Sequence, residues 1–272
     1  MNTANDDTGA PVVVRNLVSQ YGQTRIHDDI SFAVEQGEIF VIMGSSGSGK
    51  TTLLRHLIGL AEPTSGHIEL LGRSIFDISR AELIDLRKKI GVAFQSGALI
   101  NSMSVADNIE LPLKQHTKLD PATIRIMCRL KLELMNLSGA EDYMPAQLSG
   151  GMLKRAGLAR AVITDPSVLF FDEPSAGLDP VTAVELDQLI LRLRDSLSMT
   201  IIVITHELES ALKIADRIMV IGDGKIRAIG NVDEIRRSED PAVQALLARR
   251  AMSDGIDAET YLSRLTGETS DD

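Results

Sequence analysis

The sequence predicts an α/β chain with a parallel central sheet, and three observations carry that expectation. Short β-type runs alternate with helical patterns along most of the chain. The stretch Gly44-Ser-Ser-Gly-Ser-Gly49-Lys50-Thr51 follows a β-type run and precedes a helical one. The apolar run Val168-Leu-Phe-Phe ends in Asp172-Glu173, as a strand buried on both faces would end at a site. Strand–helix alternation of this kind implies parallel strands joined by crossovers.

In chain order, β-type runs are expected over Val12–Val18, Thr24–Val34, Glu38–Met43 and His67–Leu71, with turns between them. A helix follows the glycine-rich turn at 44–49. Residues 80–90 read as a helix and Ile90–Phe94 as a short strand. From about 96 to 163 the pattern is helical and reads as an insertion lying on the core. Within it, Asp120-Pro121 marks a helix start, with aspartate as cap and proline at the first helical position. Strand Val168–Phe171, helix Val181–Leu197, strand Thr200–Thr205 and helix Glu207–Ala215 follow. Asp223-Gly224 between two apolar runs is a hairpin signal. Short helices near 231–237 and 241–250 precede an acidic tail.

Composition narrows the classes. The chain has 272 residues, 44% hydrophobic and 24% charged, as ordinary globular chains do. Its one cysteine, Cys128, cannot form an internal disulfide. The longest apolar runs fall well short of the ~20 residues that span a bilayer, and the first ten residues do not resemble a secretion signal. A membrane role is therefore expected to go through a partner. Of the net charge of −10, the last twenty residues hold −5 and the first ten −2. The acidity reads as two solvated tails on a nearly neutral core, which argues against a nucleic-acid partner.

The chemistry-bearing residues begin with the glycine-rich loop. It matches G-x4-G-K-[ST] in the strand-then-helix context that motif requires. Backbone N–H groups of Gly44, Ser45, Ser46, Gly47, Ser48 and Gly49 would curl around phosphates, and the helix start adds a positive dipole. Lys50 would reach the β- and γ-phosphates of a bound nucleotide. The Thr51 hydroxyl would bind Mg²⁺, with Thr52 beside it. Asp172 is the expected partner for Mg²⁺, and Glu173 is placed to act on the attacking water. An apolar run ending in Asp-Glu is common as a solvated turn; the phosphate loop gives this one its functional reading. Ser149, Gly150 and Gly151 open a further helical pattern and make a second anion cradle, for which one chain has no obvious second nucleotide.

At this point the chain resembles the ATP-binding cassette family over about residues 12–235. That resemblance implies a P-loop NTPase (RecA-like) core, an N-terminal antiparallel β subdomain and an inserted α-helical subdomain over about 96–163. Residues 1–11 would be a disordered tail and 236–272 a C-terminal helical and acidic extension. It implies that Ser149, Gly150 and Gly151 close over ATP held by a second copy. Tyr21 resembles the aromatic that stacks on adenine, although alone it is an ordinary strand-end tyrosine. Gln95 resembles the glutamine joining Mg²⁺ and water chemistry to the transporter contact; alone it is a polar loop residue. The stretch from Ser175 to Asp179 resembles the loop crossing the dimer interface. His206 resembles the histidine that touches the γ-phosphate, where a lone histidine at a strand end is usually just solvated.

The strings LSGGMLKR (148–155) and FQSGALI (94–100) look like the ATPases of Mla-type lipid transporters. The implied partners are a second copy, transmembrane permease subunits, an MCE-domain lipid-binding protein and a small regulatory subunit. The implied location is the cytoplasmic face of the inner membrane, held there through the permease. Two other readings stay open: a transporter ATPase for another cargo, such as an amino acid, ion or drug, and a non-transport cassette protein. In the extension, Val243, Leu246, Leu247 and Ala251 recur at helical spacing, and Tyr261, Leu262 and Leu265 form a second apolar group. They either pack on the chain's own core or reach a second subunit or partner.

Overall fold

The computed structural model describes residues 9–254. Two sheets form. Strands β1 (Val12–Tyr21), β2 (Thr24–Val34), β4 (Ser65–Leu70) and β5 (Arg73–Ser74) make an antiparallel sheet in the order β2-β1-β4-β5. Strands β3 (Ile39–Gly44), β6 (Ile90–Ala93), β7 (Val168–Asp172), β8 (Thr200–Thr205), β9 (Arg217–Gly222) and β10 (Lys225–Gly230) make the second, in the order β10-β9-β3-β8-β7-β6. It is parallel except for the β9–β10 hairpin, whose turn residues Asp223 and Gly224 both have positive φ, as a tight hairpin requires.

The near-continuous apolar strands follow from burial on both faces. On β3, Ile39, Val41 and Met43 join one core cluster while Phe40 and Ile42 join the other. On β7 and β8 the same alternation sends Leu169, Phe171, Ile201 and Val203 one way and Val168, Phe170, Ile202 and Ile204 the other. Each such fully buried side chain contributes about 1.5–3 kcal/mol. One cluster packs the parallel sheet against α1 (Lys50–Leu57) and the antiparallel sheet. The other packs it against the helical region α3 (Val105–His116), α4 (Pro121–Leu134) and α5 (Gly150–Ala161), and against α6 (Pro180–Leu197), α7 (Leu208–Ile214) and α9 (Pro241–Asp254). Helices α2 (Arg80–Arg87) and α8 (Val232–Arg236) are short and peripheral.

Helix starts follow the caps. Asp120 accepts from the N–H of Ala122 and Thr123, and Ser149 from that of Met152. Strand β1 runs three residues beyond its expected end at Val18, to Tyr21. Register shifts against β2 break its alternation there, which hides the extension from a period-2 reading. The two-residue strand β5 is too short to leave a pattern. Val243, Leu246 and Leu247 of α9 pack on the main core, so this part of the helix's apolar stripe is covered by its own chain. Tyr261, Leu262 and Leu265 lie outside the described residues, as do residues 1–8.

A buried polar pair sits where β2 meets α1. His27 and His56 are fully or nearly fully buried, with rings edge to face at 6.2 Å. His27 Nδ1 bonds Ser19 Oγ at 2.7 Å, and His56 Nδ1 donates to the Ala61 carbonyl at 2.8 Å. Burial, helped by His56, pushes the His27 imidazole down to about 4. A histidine depressed in the folded state is protonated more readily in the unfolded chain, so its contribution is present above pH 6.5 and is lost on acidification towards pH 4. Between pH 7.5 and 5 the loss should be about 2 kcal/mol. Urea unfolding at those two pH values should show it, and His27→Phe should flatten the difference; an unchanged slope in that variant would rule out His27 as its source.

Candidate functional site

Parallel register brings the functional residues to one edge. Met43 pairs Thr205, Asp172 pairs Ile204 and Ala93 pairs Phe171. The segments after β3, β7, β8 and β6 therefore leave the same carboxyl edge of the sheet, where open α/β sheets bind ligands. Ser46, Gly47, Gly49, Lys50, Thr51, Thr52, Gln95, Glu173 and His206 line one cavity of about 380 Å³ there, with Ile26 from β2. Ile26 carried no signal in the sequence, because its place depends on how the antiparallel sheet leans on the loop.

The glycine-rich loop is shaped by contacts that exclude side chains. A Cβ on Gly49 would lie 2.6 Å from His27 Nε2, and the residue has φ 94°, open to glycine at little cost. A Cβ on Gly44 would meet the Ile221 carbonyl at 2.4 Å and Ser48 Oγ at 2.5 Å. Lys50 is buried and curls back, donating to the carbonyls of Gly44 at 2.8 Å and Ser45 at 3.0 Å. Burial lowers its pKa, opposed by the nearby Glu173 and Asp172 carboxylates.

The carboxylates follow β7. Asp172 Oδ1 is buried with no hydrogen-bond partner, and burial, then Glu173, raises the Asp172 pKa. An orphaned carboxylate oxygen beside a phosphate loop that carries a Thr51 hydroxyl is a hard oxygen donor set, which fits Mg²⁺. Glu173 has φ 51°, an uncommon left-handed conformation for a non-glycine residue. Its N–H donates to the Ile204 carbonyl at 2.8 Å. Its Oε2 accepts from His206 Nδ1 at 2.8 Å and from the His206 N–H at 3.3 Å. His206 thus aims the Glu173 carboxylate into the cavity, from 33 residues away in the sequence.

Other residues singled out in the sequence lie apart from this cavity. Tyr21 ends β1 and is 54% exposed, a face free for stacking. Ser149, Gly150 and Gly151 open α5 and do not line the cavity. A Cβ on Gly151 would meet Thr182 Cγ2 at 2.8 Å, so this turn abuts the start of α6. Asp179 caps α6, accepting from the N–H of Val181 and Thr182. Gly44, Ser45 and Ser46 also border a second cavity of about 470 Å³, with Ser175 and Leu178, which adjoins the first through Ser46 and His206.

Comparisons with known proteins bear on the family and the fold. A family model described as ABC transporter matches residues 27–176. The chain is 41% identical to the intermembrane phospholipid transport system ATP-binding protein MlaF of Haemophilus influenzae, over 90% of this chain and 92% of that protein. It is 41% identical to the Escherichia coli K12 protein of the same name, over 87% and 88%. It is 37% identical to the "Probable ribonucleotide transport ATP-binding protein mkl" of Mycobacterium leprae, over 96% of this chain and 75% of that one. Among solved structures, the dimeric ATP-binding cassette MJ0796 in a post-hydrolysis state bound to ADP and Pi matches with TM-score 0.75 and 29% identity, covering 81% of this chain and 98% of that one. The cbiO1 subunit of the Clostridium perfringens cbiONQ ABC transporter complex matches with TM-score 0.78 and 27% identity, covering 94% and 99%.

Proposed function

The chain belongs to the ABC transporter family and is an ATPase of that family, and from that premise we propose that it powers a transporter moving phospholipid between membranes. The observation that carries the cargo reading is the 41% identity to MlaF phospholipid-transport proteins along nearly the full length of both chains. A relative at 37% identity is named for ribonucleotide transport, so we assign the choice of cargo to the partners of this chain and not to its nucleotide site. No helix among the described residues is long and apolar enough to cross a membrane. We assign the membrane step to permease subunits. We place the chain on the cytoplasmic face of the inner membrane, held by those subunits, with an MCE-domain lipid-binding protein and a small regulatory subunit in the same assembly.

In this reading, Tyr21 stacks on adenine, and N–H groups from Gly44 to Gly49 cradle the phosphates. On ATP binding, the Lys50 ammonium exchanges the Gly44 and Ser45 carbonyls for β- and γ-phosphate oxygens. Thr51, Asp172 and Gln95 are the residues that would hold Mg²⁺, and when bound that ion neutralises charge on the transferred phosphoryl group. The Glu173 carboxylate takes a proton from the attacking water, and His206 holds that carboxylate in line. The orphaned Asp172 oxygen and the His206-aimed Glu173 support this division of roles, one carboxylate free for a cation and one free for water. Ser149, Gly150, Gly151 and Asp179 act across the interface with a second copy. Ser149, Gly150 and Gly151 stand outside the cavity of their own phosphate loop, as a composite site needs, and the MJ0796 relative is a dimer. Purifying the chain with its membrane partners, followed by mass spectrometry of bound lipid, tests the cargo. Phospholipid enriched over the bulk membrane, with an MCE-domain protein in the complex, is the expected result. A complex lacking both would overturn the lipid reading.

A further inference from the structure

Lys154 is the fifth residue of α5; it falls within the string 148–155, and nothing above assigns its side chain a role. Its ammonium has three donors and meets three carbonyls: Glu173 at 3.2 Å, Pro174 at 2.6 Å and Ala176 at 2.6 Å. Burial lowers its pKa, opposed by Glu173 and Glu207. The loop it grips begins with the strained Glu173 backbone, and a conformation of that kind persists only where its surroundings over-determine it. An adjoining face of α5, through Leu153 and Gly157, is in backbone contact with the loop carrying Gln95. A Cβ on Gly157 would lie 2.7 Å from Gly97 Cα, and one on Gly97 would lie 2.6 Å from the Leu153 carbonyl. Arg160 donates to the Gly97 carbonyl at 3.0 Å. The same turns of α5 thus carry the packed Gln95 loop and, on the adjoining face, the fastened Glu173 main chain. Close-packed elements with backbone-to-backbone contact transmit displacement and do not absorb it.

We infer that Lys154 is a positioning residue, which fastens the Glu173–Ala176 loop to α5 so that movement of the helical region sets the aim of the Glu173 carboxylate. The inference rests on the reading that Glu173 acts on water. It assigns Lys154 an effect on turnover and none on nucleotide capture, because none of its contacts reaches the phosphate loop. A misplacement of the reacting group by about 1 Å can cost on the order of 100-fold in rate.

The test compares Lys154→Met, Lys154→Arg and Glu173→Gln, singly and combined, in the full-length chain and in its membrane complex. Lys154→Met should lower kcat by about 10- to 100-fold, with ATP Kd within about threefold of the parent value. Lys154→Arg, which keeps cationic donors, should recover most of the loss. In a Glu173→Gln background, Lys154→Met should cause no further fall, because both act on one step. A Lys154→Met chain with parental turnover, while Glu173→Gln is slow, would overturn the inference and leave the site reading intact. So would a further fall in the double variant, or a loss of kcat matched by an equal loss of ATP affinity. Parental turnover in Glu173→Gln would instead remove the reading of Glu173 itself.

Discussion

Glu173→Gln should bind ATP as tightly as the parent chain and hydrolyse it about 10²- to 10⁴-fold more slowly, the range that loss of a positioned general base produces. The amide keeps the shape of the side chain and still accepts from His206 Nδ1 through its carbonyl oxygen, which now accepts at 2.8 Å as a carboxylate oxygen. It does not accept the proton of an attacking water. Binding should survive because Lys50 and the N–H groups of the loop are unaltered. Closed dimers should then accumulate with ATP and separate only slowly, visible as a shift in size-exclusion elution. Near-parental turnover would show that Glu173 is not the group acting on water.

Lys50→Ala should remove tight nucleotide binding. The ammonium is the fixed cation of the loop; burial lowers its pKa, and Glu173 and Asp172 lie close enough to oppose that shift. Without it the β- and γ-phosphates would face those two carboxylates uncompensated. Loss of charge-assisted hydrogen bonds worth about 3 kcal/mol corresponds to at least about a 100-fold rise in Kd. Titration with a fluorescent ATP analogue measures this directly. The same chain should melt close to the parent, since Gly44 and Ser45, whose carbonyls the substitution releases, line a cavity open to solvent. Unchanged affinity would refute the phosphate-loop assignment.

Much of this was readable before the structure. The phosphate loop is contiguous, and its turn, glycines and lysine must occur in a fixed order for the backbone to wrap an anion. The central strands were readable because burial on both faces leaves unbroken apolar runs such as Val168–Phe171. The Glu173–His206 hydrogen bond was not readable, because it needs β7 and β8 to be neighbours in parallel register. The His27–Ser19 pair depends on a bulged register between β1 and β2, which periodicity does not reveal. The role of Lys154, inside the string 148–155, was not readable because all three of its partners are main-chain carbonyls, present at every residue. The separation of Ser149 from its own phosphate loop is a property of three-dimensional placement, and it gives the second anion cradle its meaning.

The composite site is the centre of this account, and mixing two inactive chains tests it most directly. Lys50→Ala disables one phosphate loop, and Ser149→Arg places bulk and charge where the second copy's γ-phosphate would sit. Ser149→Arg alone should still bind ATP as a monomer yet fail to close and turn over. If each site joins the Lys50 of one copy to the Ser149 of the other, a mixed dimer holds one complete site. ATPase activity should then reappear when the two chains are combined, though neither has any alone. A mixture as inactive as its components, or a Ser149→Arg monomer that has lost ATP affinity, would contradict a site built from two copies.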